Sequence, residues 1–176
     1  MALELNGTTG VSAVQAGAVE SGDLAAGAVG SGDLPAGSVI QVVQATSTTN
    51  TDTTATSLID VEPSVTITPS SSNNKILVMH TAGGMVSGSS DSIKFELQRN
   101  NNTIWVSNRY GYQNIDDLWT PVPFHASYLD SPNTTSAVTY NFAMRQRQSG
   151  DLRHNNDDSN FSGLSTAITI AMEIAG

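Results

Sequence analysis

A five-residue cadence near the start of the chain constrains the fold more than any other feature. From Gln15 to Val39 the text reads QAGAV-ESGDL-AAGAV-GSGDL-PAGSV, with glycine at 17, 22, 27, 32 and 37. A branched apolar residue follows each glycine by two places, at Val19, Leu24, Val29, Leu34 and Val39, and Val14 extends the series backwards by one step. Pentads of the GDL type alternate with the others, so the larger unit is ten residues. A period of five fits neither the 3.6 of a helix nor the 2 of a simple strand. Glycine also opposes a helix, at about 1 kcal/mol each relative to alanine. Too few units are present for one copy to stack into a self-sufficient solenoid. Small apolar side chains beside glycine suit close approach of backbones around a shared axis. The expectation is therefore a thin stalk over 15–39 in which three copies wind together. A flexible linker would not need so strict a spacing. Fully extended, these 25 residues span at most about 85 Å, which makes a short spacer.

Charge marks a second boundary. All seven Lys and Arg lie at or after Lys75, and the whole chain of 176 residues has a formal net charge of -9. An acidic balance is opposite to what phosphate backbones or anionic membrane surfaces attract, so neither nucleic acid nor membrane is an expected partner. No apolar run is long enough for a membrane-spanning helix, and MALELNGTTG has neither the basic nor the apolar region of a secretory signal. The absence of cysteine excludes disulfides, thiolate-bound zinc and thiol catalysis.

From about Val39 onward the pattern is that of strands and turns. VIQVVQA (39–45) is a first strand, 47–56 a polar loop, and 57–61 and 65–68 two short strands parted by Glu62-Pro63-Ser64. Lys75–Thr81 reads as a central strand. In 92–99, Ile93, Phe95 and Leu97 alternate inward with Lys94, Glu96 and Gln98 outward. Asn100–Asn102 signals a hairpin into 103–107, and 118–129 holds a strand or two. Val138, Tyr140, Phe142 and Met144 share one face of 136–146. The segment 148–160 reads as a polar loop, and Leu164, Thr166, Ile168, Ile170, Met172 and Ile174 line one face of the last strand. Eight to ten short strands without a convincing helix predict an all-β head over 40–176, an antiparallel β-sandwich of jelly-roll type.

The segments NGTTG, SGDLPAGSVIQVVQATS, VTITPSSSNNKILVM, LDSPNTTSAVTYNFAMR and ITIAMEIAG resemble, in that order, fibre-type virion proteins of bacteriophages from marine and freshwater hosts, cyanophages included. The resemblance implies a structural protein exposed on the virion: residues 1–14 anchored to other phage proteins, a stalk, and a head facing the host cell. It implies no catalytic residues. Its fibre plan agrees with a homotrimer, whose avidity offsets weak single contacts with a cell-surface glycan or protein. A capsid-associated head fibre or a decoration protein that stabilises the shell is the alternative.

Trp105, Tyr110, Tyr112 and Trp119 lie among Asn108, Arg109, Gln113, Asn114, Asp116 and Asp117, the mixture of aromatic faces and polar groups that holds sugars. The loop 109–117 is the first choice for receptor contact, with Tyr110, Tyr112, Gln113, Asn114, Asp116 and Trp119 as its residues; 148–160 is the second. The plainer reading puts the tryptophans in the core or at the trimer seam. His80 and His125 on strands and His154 in a loop lack the spacing of a metal site and are read as ordinary histidines. Asp151, Asp157 and Asp158 lie in an oxygen-rich loop that departs from calcium-loop spacing, with Arg153 among them. Asp116 and Asp117, adjacent on a strand, would point to opposite faces and make a poor glycosidase pair. No metal, cofactor or catalytic activity is expected.

Overall fold

The structure is a computed structural model and describes residues 29–87, 91–107, 110–113, 120–121, 123–146, 151–155 and 166–176. It divides into two compact units, Met1–Pro35 and Ala36–Gly176.

In the first unit the described residues are 29–35. Val14, Val19 and Leu24 of the pentad series lie outside them. Ser31–Asp33 forms a single 3-10 turn, where the cadence predicts extended chain. The Asp33 carboxylate accepts the Gly30 N–H at 2.8 Å, and the Asp33 N–H donates to the Gly30 carbonyl at 3.0 Å. This closure gives a reason for Asp in the GDL pentad: its short carboxylate reaches back three residues to an otherwise unpaired donor. Val29 is exposed and Leu34 half-buried.

The second unit holds thirteen strands among the described residues: β1 (Val39–Ser47), β2 (Thr51–Thr53), β3 (Ile59–Ile67), β4 (Lys75–Ala82), β5 (Gly84–Ser87), β6 (Asp91–Arg99), β7 (Asn102–Val106), β8 (Tyr110–Gln113), β9 (Thr120–Pro121), β10 (Phe124–Asp130), β11 (Val138–Gln146), β12 (Asp151–His154) and β13 (Ala167–Ile174). All pairings are antiparallel. A first sheet runs β1-β13-β4-β10, and a second runs β3-β11-β6-β7 with β8 also on β6. Counted among these eight principal strands, the orders are 1-8-3-6 and 2-7-4-5, the interleaving of two Greek keys that characterises a jelly roll. The two sheets enclose one core, built around Val61, Ile67, Ile76, Val78, Leu97 and Phe142.

A small third sheet runs β2-β12-β5-β9. Strands β2 and β5 follow β1 and β4 along the chain, and β9 precedes β10, so three of its members continue strands of the first sheet in the same lateral order. Strand β12 takes the place that β13 holds in the first sheet. The small sheet therefore prolongs the first sheet at the end remote from Val39. Two segments read as loops, 47–56 and 148–160, contribute β2 and β12 to it. Their strands are too short, and too rich in polar residues, to show a periodicity.

Local chemistry explains the other departures. Strand β3 runs unbroken through Glu62-Pro63-Ser64, where two strands were expected. It is an edge strand, and a bulge sets these three residues against Asn141 alone, so proline's missing N–H interrupts no required pairing. The hairpin between β6 and β7 turns on Asn100 and Asn101 at φ 50° and 65°, the left-handed pair of a two-residue hairpin turn that asparagine tolerates. Gly84 opens β5 beneath the Phe124 ring; a side chain there would collide with that ring and with the Arg153 carbonyl.

Candidate interaction surfaces

The chain enters the sandwich at Val39, and the strand directions sort the candidate sites by end. Val39 pairs with Ile174, and Ile174 with Lys75, at the entry end. At that end Glu173 is buried, and among the described residues no cation pairs with it. Its carboxylate accepts the Asn74 side-chain amide at 2.6 Å, the Ser70 N–H at 2.6 Å, the Ser70 hydroxyl at 2.8 Å and the Gln41 side-chain amide. Burial alone would raise its pKa, but the hydrogen bonds from Asn74, Gln41 and Ser70 outweigh it and hold the carboxyl below its ordinary value. Gln41 lies in β1 and Ser70 and Asn74 in the turn before β4, so one carboxylate ties three segments together where the chain enters.

A second buried polar cluster crosses the core. The Thr169 hydroxyl donates to the Pro63 carbonyl at 2.7 Å, His80 Nδ1 meets that hydroxyl at 2.9 Å, and His80 Nε2 meets His154 Nε2 at 3.1 Å. The His80 ring stacks on Phe142 at 4.5 Å. Burial, and after it the nearby rings of His154 and His125, holds the His80 pKa down at about 3; burial alone brings His154 to about 4. The sequence reading placed His154 in a solvated loop, whereas it ends β12 and is fully buried. His125 is exposed, beside Thr81. Among the described residues no three histidine or carboxylate groups gather as metal ligands.

Of the first-choice receptor residues, Tyr110, Tyr112 and Gln113 lie on β8. This is a strand where a loop was expected, because β7 covers only the later half of β6 and leaves the edge around Asp91 and Ile93 free to pair. Asn114, Asp116 and Trp119 lie outside the described residues. Trp105 is half-buried against the core. With His80, Phe95, Phe124 and Phe142 it lines a crevice of only about 10 Å³, room for one water and far too little for a sugar ring. The second-choice segment does reach an opening. Asp151 and Arg153 of β12, with Asp52, Thr53 and Thr54, line an open polar hollow of about 270 Å³. Arg153 Nε lies 3.6 Å from the Asp52 carboxylate. Asp157 and Asp158 lie outside the described residues.

The outer faces of the two large sheets differ. On the second sheet, Glu96 accepts from Arg145 at 3.1 Å and from the Thr103 hydroxyl at 2.9 Å, and the Asn141 amide donates to Asp60 and Gln98. That face is polar and internally paired. On the first sheet the alternation of β13 is inverted: Ala167, Thr169, Ala171 and Glu173 face the core, and the apolar stripe Ile168, Ile170, Met172, Ile174 faces outward. Register places Val42, Met172, Leu77 and Leu129 in one row across all four strands, with Ile170 and Met79 paired in the next. Val42 and Leu129, at the two edges, are 55% and 49% exposed.

No protein-family model matches the chain, and no curated protein matches it. Among solved structures it is similar to VP2 of infectious bursal disease virus. A subviral-particle structure aligns over 77% of this chain and 37% of that chain, at 11% identity and a TM-score of 0.39. VP2 of the Gx strain aligns over the same shares at 11% identity and 0.42. Dimeric latent PorU from Porphyromonas gingivalis aligns over 80% of this chain and 14% of that one, at 9% identity and 0.35. The chain spans little more than a third of the VP2 length, and alignments this loose carry no functional implication.

Proposed function

We propose that the protein is a non-enzymatic structural fibre of a bacteriophage virion. Residues 1–14 dock on the particle, 15–39 form the stalk of a homotrimer, and the head is carried outward for attachment to the host cell. One observation supports this reading above the rest: the head is polarised. The chain enters at Val39, and the strands that flank both candidate contact segments gather at the opposite end. Tyr110 and Gln113 pair with Ile93 and Asp91 at the start of β6, Pro121 pairs with Met85 in the small sheet, and Asp151 and Arg153 open on the polar hollow there. Nine residues of β1 separate the ends by about 30 Å. A sandwich tethered at one end with its polar opening at the other suits a tip that meets a surface.

The test is to locate the protein on the phage with gold-labelled antibody and to pre-incubate host cells with the purified chain. Label on an appendage, together with slowed phage adsorption, is the expected result. Label spread over the shell, with adsorption unchanged and heads that rupture when the protein is removed, would replace attachment with shell decoration.

A further inference from the structure

The outer face of the first sheet carries the apolar stripe of β13 outward, away from the core. Strand rise and spacing give the whole face an area of about 500 Å², and its middle carries a contiguous apolar patch, the feature that marks a contact surface when it is exposed. One row of it, Val42, Met172, Leu77 and Leu129, is apolar from edge to edge, and β13 adds Ile168, Ile170 and Ile174. Gln44, Thr46, Thr81, Ser127 and His125 lie at outward positions beyond that row. The second sheet shows that this chain can make a polar outer face. We propose that this face is the seam along which three copies of the head meet, an inference that rests on the fibre reading and names the surface that reading needs.

Three observations point to copies of the same chain as the occupant. The first is continuity. Val39, the last apolar residue of the pentad series, pairs with Ile174 and shares its side of the sheet, and it is 51% exposed. The apolar series that calls for identical partners in the stalk thus ends on this face. The second is charge. The chain carries a formal net charge of -9, yet the outward positions of β1, β13, β4 and β10 contain no acid, and Lys75 is their one formally charged side chain. Acidic copies therefore meet here without juxtaposed carboxylates. The third is size. The face falls short of the roughly 800 Å² per partner of a stable pair, so the head alone associates weakly and the pentads supply the remainder. A row that is apolar at both edges gives each protomer one edge for each of two neighbours, as a three-fold axis requires.

The test uses the full chain and three variants: Met172→Glu at the centre of the row, Val42→Lys at its exposed edge, and Thr66→Glu on the polar face of the second sheet. Sedimentation over a concentration series is read beside far-ultraviolet circular dichroism. The wild type and Thr66→Glu are expected to sediment as trimers. Val42→Lys and Met172→Glu are expected to keep the β spectrum and to raise the concentration for half-assembly at least about 100-fold, since each would bury an unpaired charge at the seam. Because Val42 is half in solvent, its variant folds even where a glutamate at 172 does not. A trimer that persists in both variants overturns the seam and leaves the fibre reading standing. A wild type that sediments as a single protomer overturns both. A dimer that the two substitutions dissociate overturns the three-fold arrangement.

Discussion

His80 Nε2 and His154 Nε2 stand 3.1 Å apart in the core, and the partners around them fix which ring carries which proton. The Pro63 carbonyl only accepts, so the Thr169 hydroxyl donates to it and must itself accept from His80 Nδ1–H. That leaves His80 Nε2 bare, and His154 Nε2–H donates to it. His154 Nδ1 is then bare as well, and it has no hydrogen-bond partner among the described residues. Both rings are neutral, and a further proton has only a buried and unfavourable place to go.

Acid lability follows. Both folded pKa values, about 3 for His80 and about 4 for His154, lie below the ordinary 6.5. Between these limits the unfolded chain binds more protons than the folded one, so stability falls as pH falls from 6.5 towards 4. The loss at pH 5 is on the order of 2 kcal/mol for each histidine. Urea unfolding at pH 7, 6 and 5 measures it. In His154→Phe the slope over this range shrinks to about half, and a slope unchanged by that substitution would refute the assignment.

Glu173 acts lower on the pH scale. Its folded pKa is held below the ordinary 4.5, so its contribution is complete above that value and is lost as pH falls through and below it. The two effects separate on one titration, because His80 and His154 act between pH 6.5 and 5, where folded Glu173 stays ionised. Glu173→Gln places an amide N–H2 against donors from Gln41, Ser70 and Asn74, leaving at least one buried donor without an acceptor. The expected cost at pH 7 is about 2–3 kcal/mol, read by urea unfolding, and below pH 4.5 the variant loses Glu173's share of the pH dependence while the share carried by His80 and His154 remains.

Gly84→Ala tests the join between the first and small sheets. The new methyl would lie inside the Phe124 ring and against the Arg153 carbonyl, and neither yields easily: one packs in the core and the other is backbone. A loss of about 1–3 kcal/mol is expected. Pairing Gly84→Ala with Phe124→Leu should recover part of it, because the smaller side chain vacates the space; two losses that simply add would show that the collision is not the cause.

What the sequence made legible was the alternation. Ile93, Phe95 and Leu97, and the run from Val138 to Met144, were placed inward by period alone, and the asparagine hairpin was readable from its turn chemistry. Strand β13 shows where that reading stops. Its period was plain, but apolar residues face outward whenever something outside the monomer covers them, and alternation cannot tell the two sides apart. Glu173 was missed because a lone carboxylate in a strand looks like a solvated residue; its donors come from residues 99 to 132 places away. His154 was missed for a similar reason. A four-residue strand among Asp, Arg and Asn reads as loop, and only the pairing with β2 and β5 gives it an inside.

The polar hollow offers the last prediction. Asp151 is exposed at the start of β12, and it borders the opening that Asp52, Thr53, Thr54 and Arg153 share. Two carboxylates, a guanidinium and two hydroxyls around a space of about 270 Å³ suit the hydroxyl groups of a surface glycan, which need donors and acceptors close together. Asp151→Ala removes one acceptor at a solvated site, so stability should stay within about 0.5 kcal/mol of wild type. The purified variant should nevertheless compete less well than the wild type with phage for host cells, while Thr66→Ala on the second sheet's outer face should compete normally. Equal competition by both variants would move receptor contact away from this hollow and towards the segment between β8 and β9.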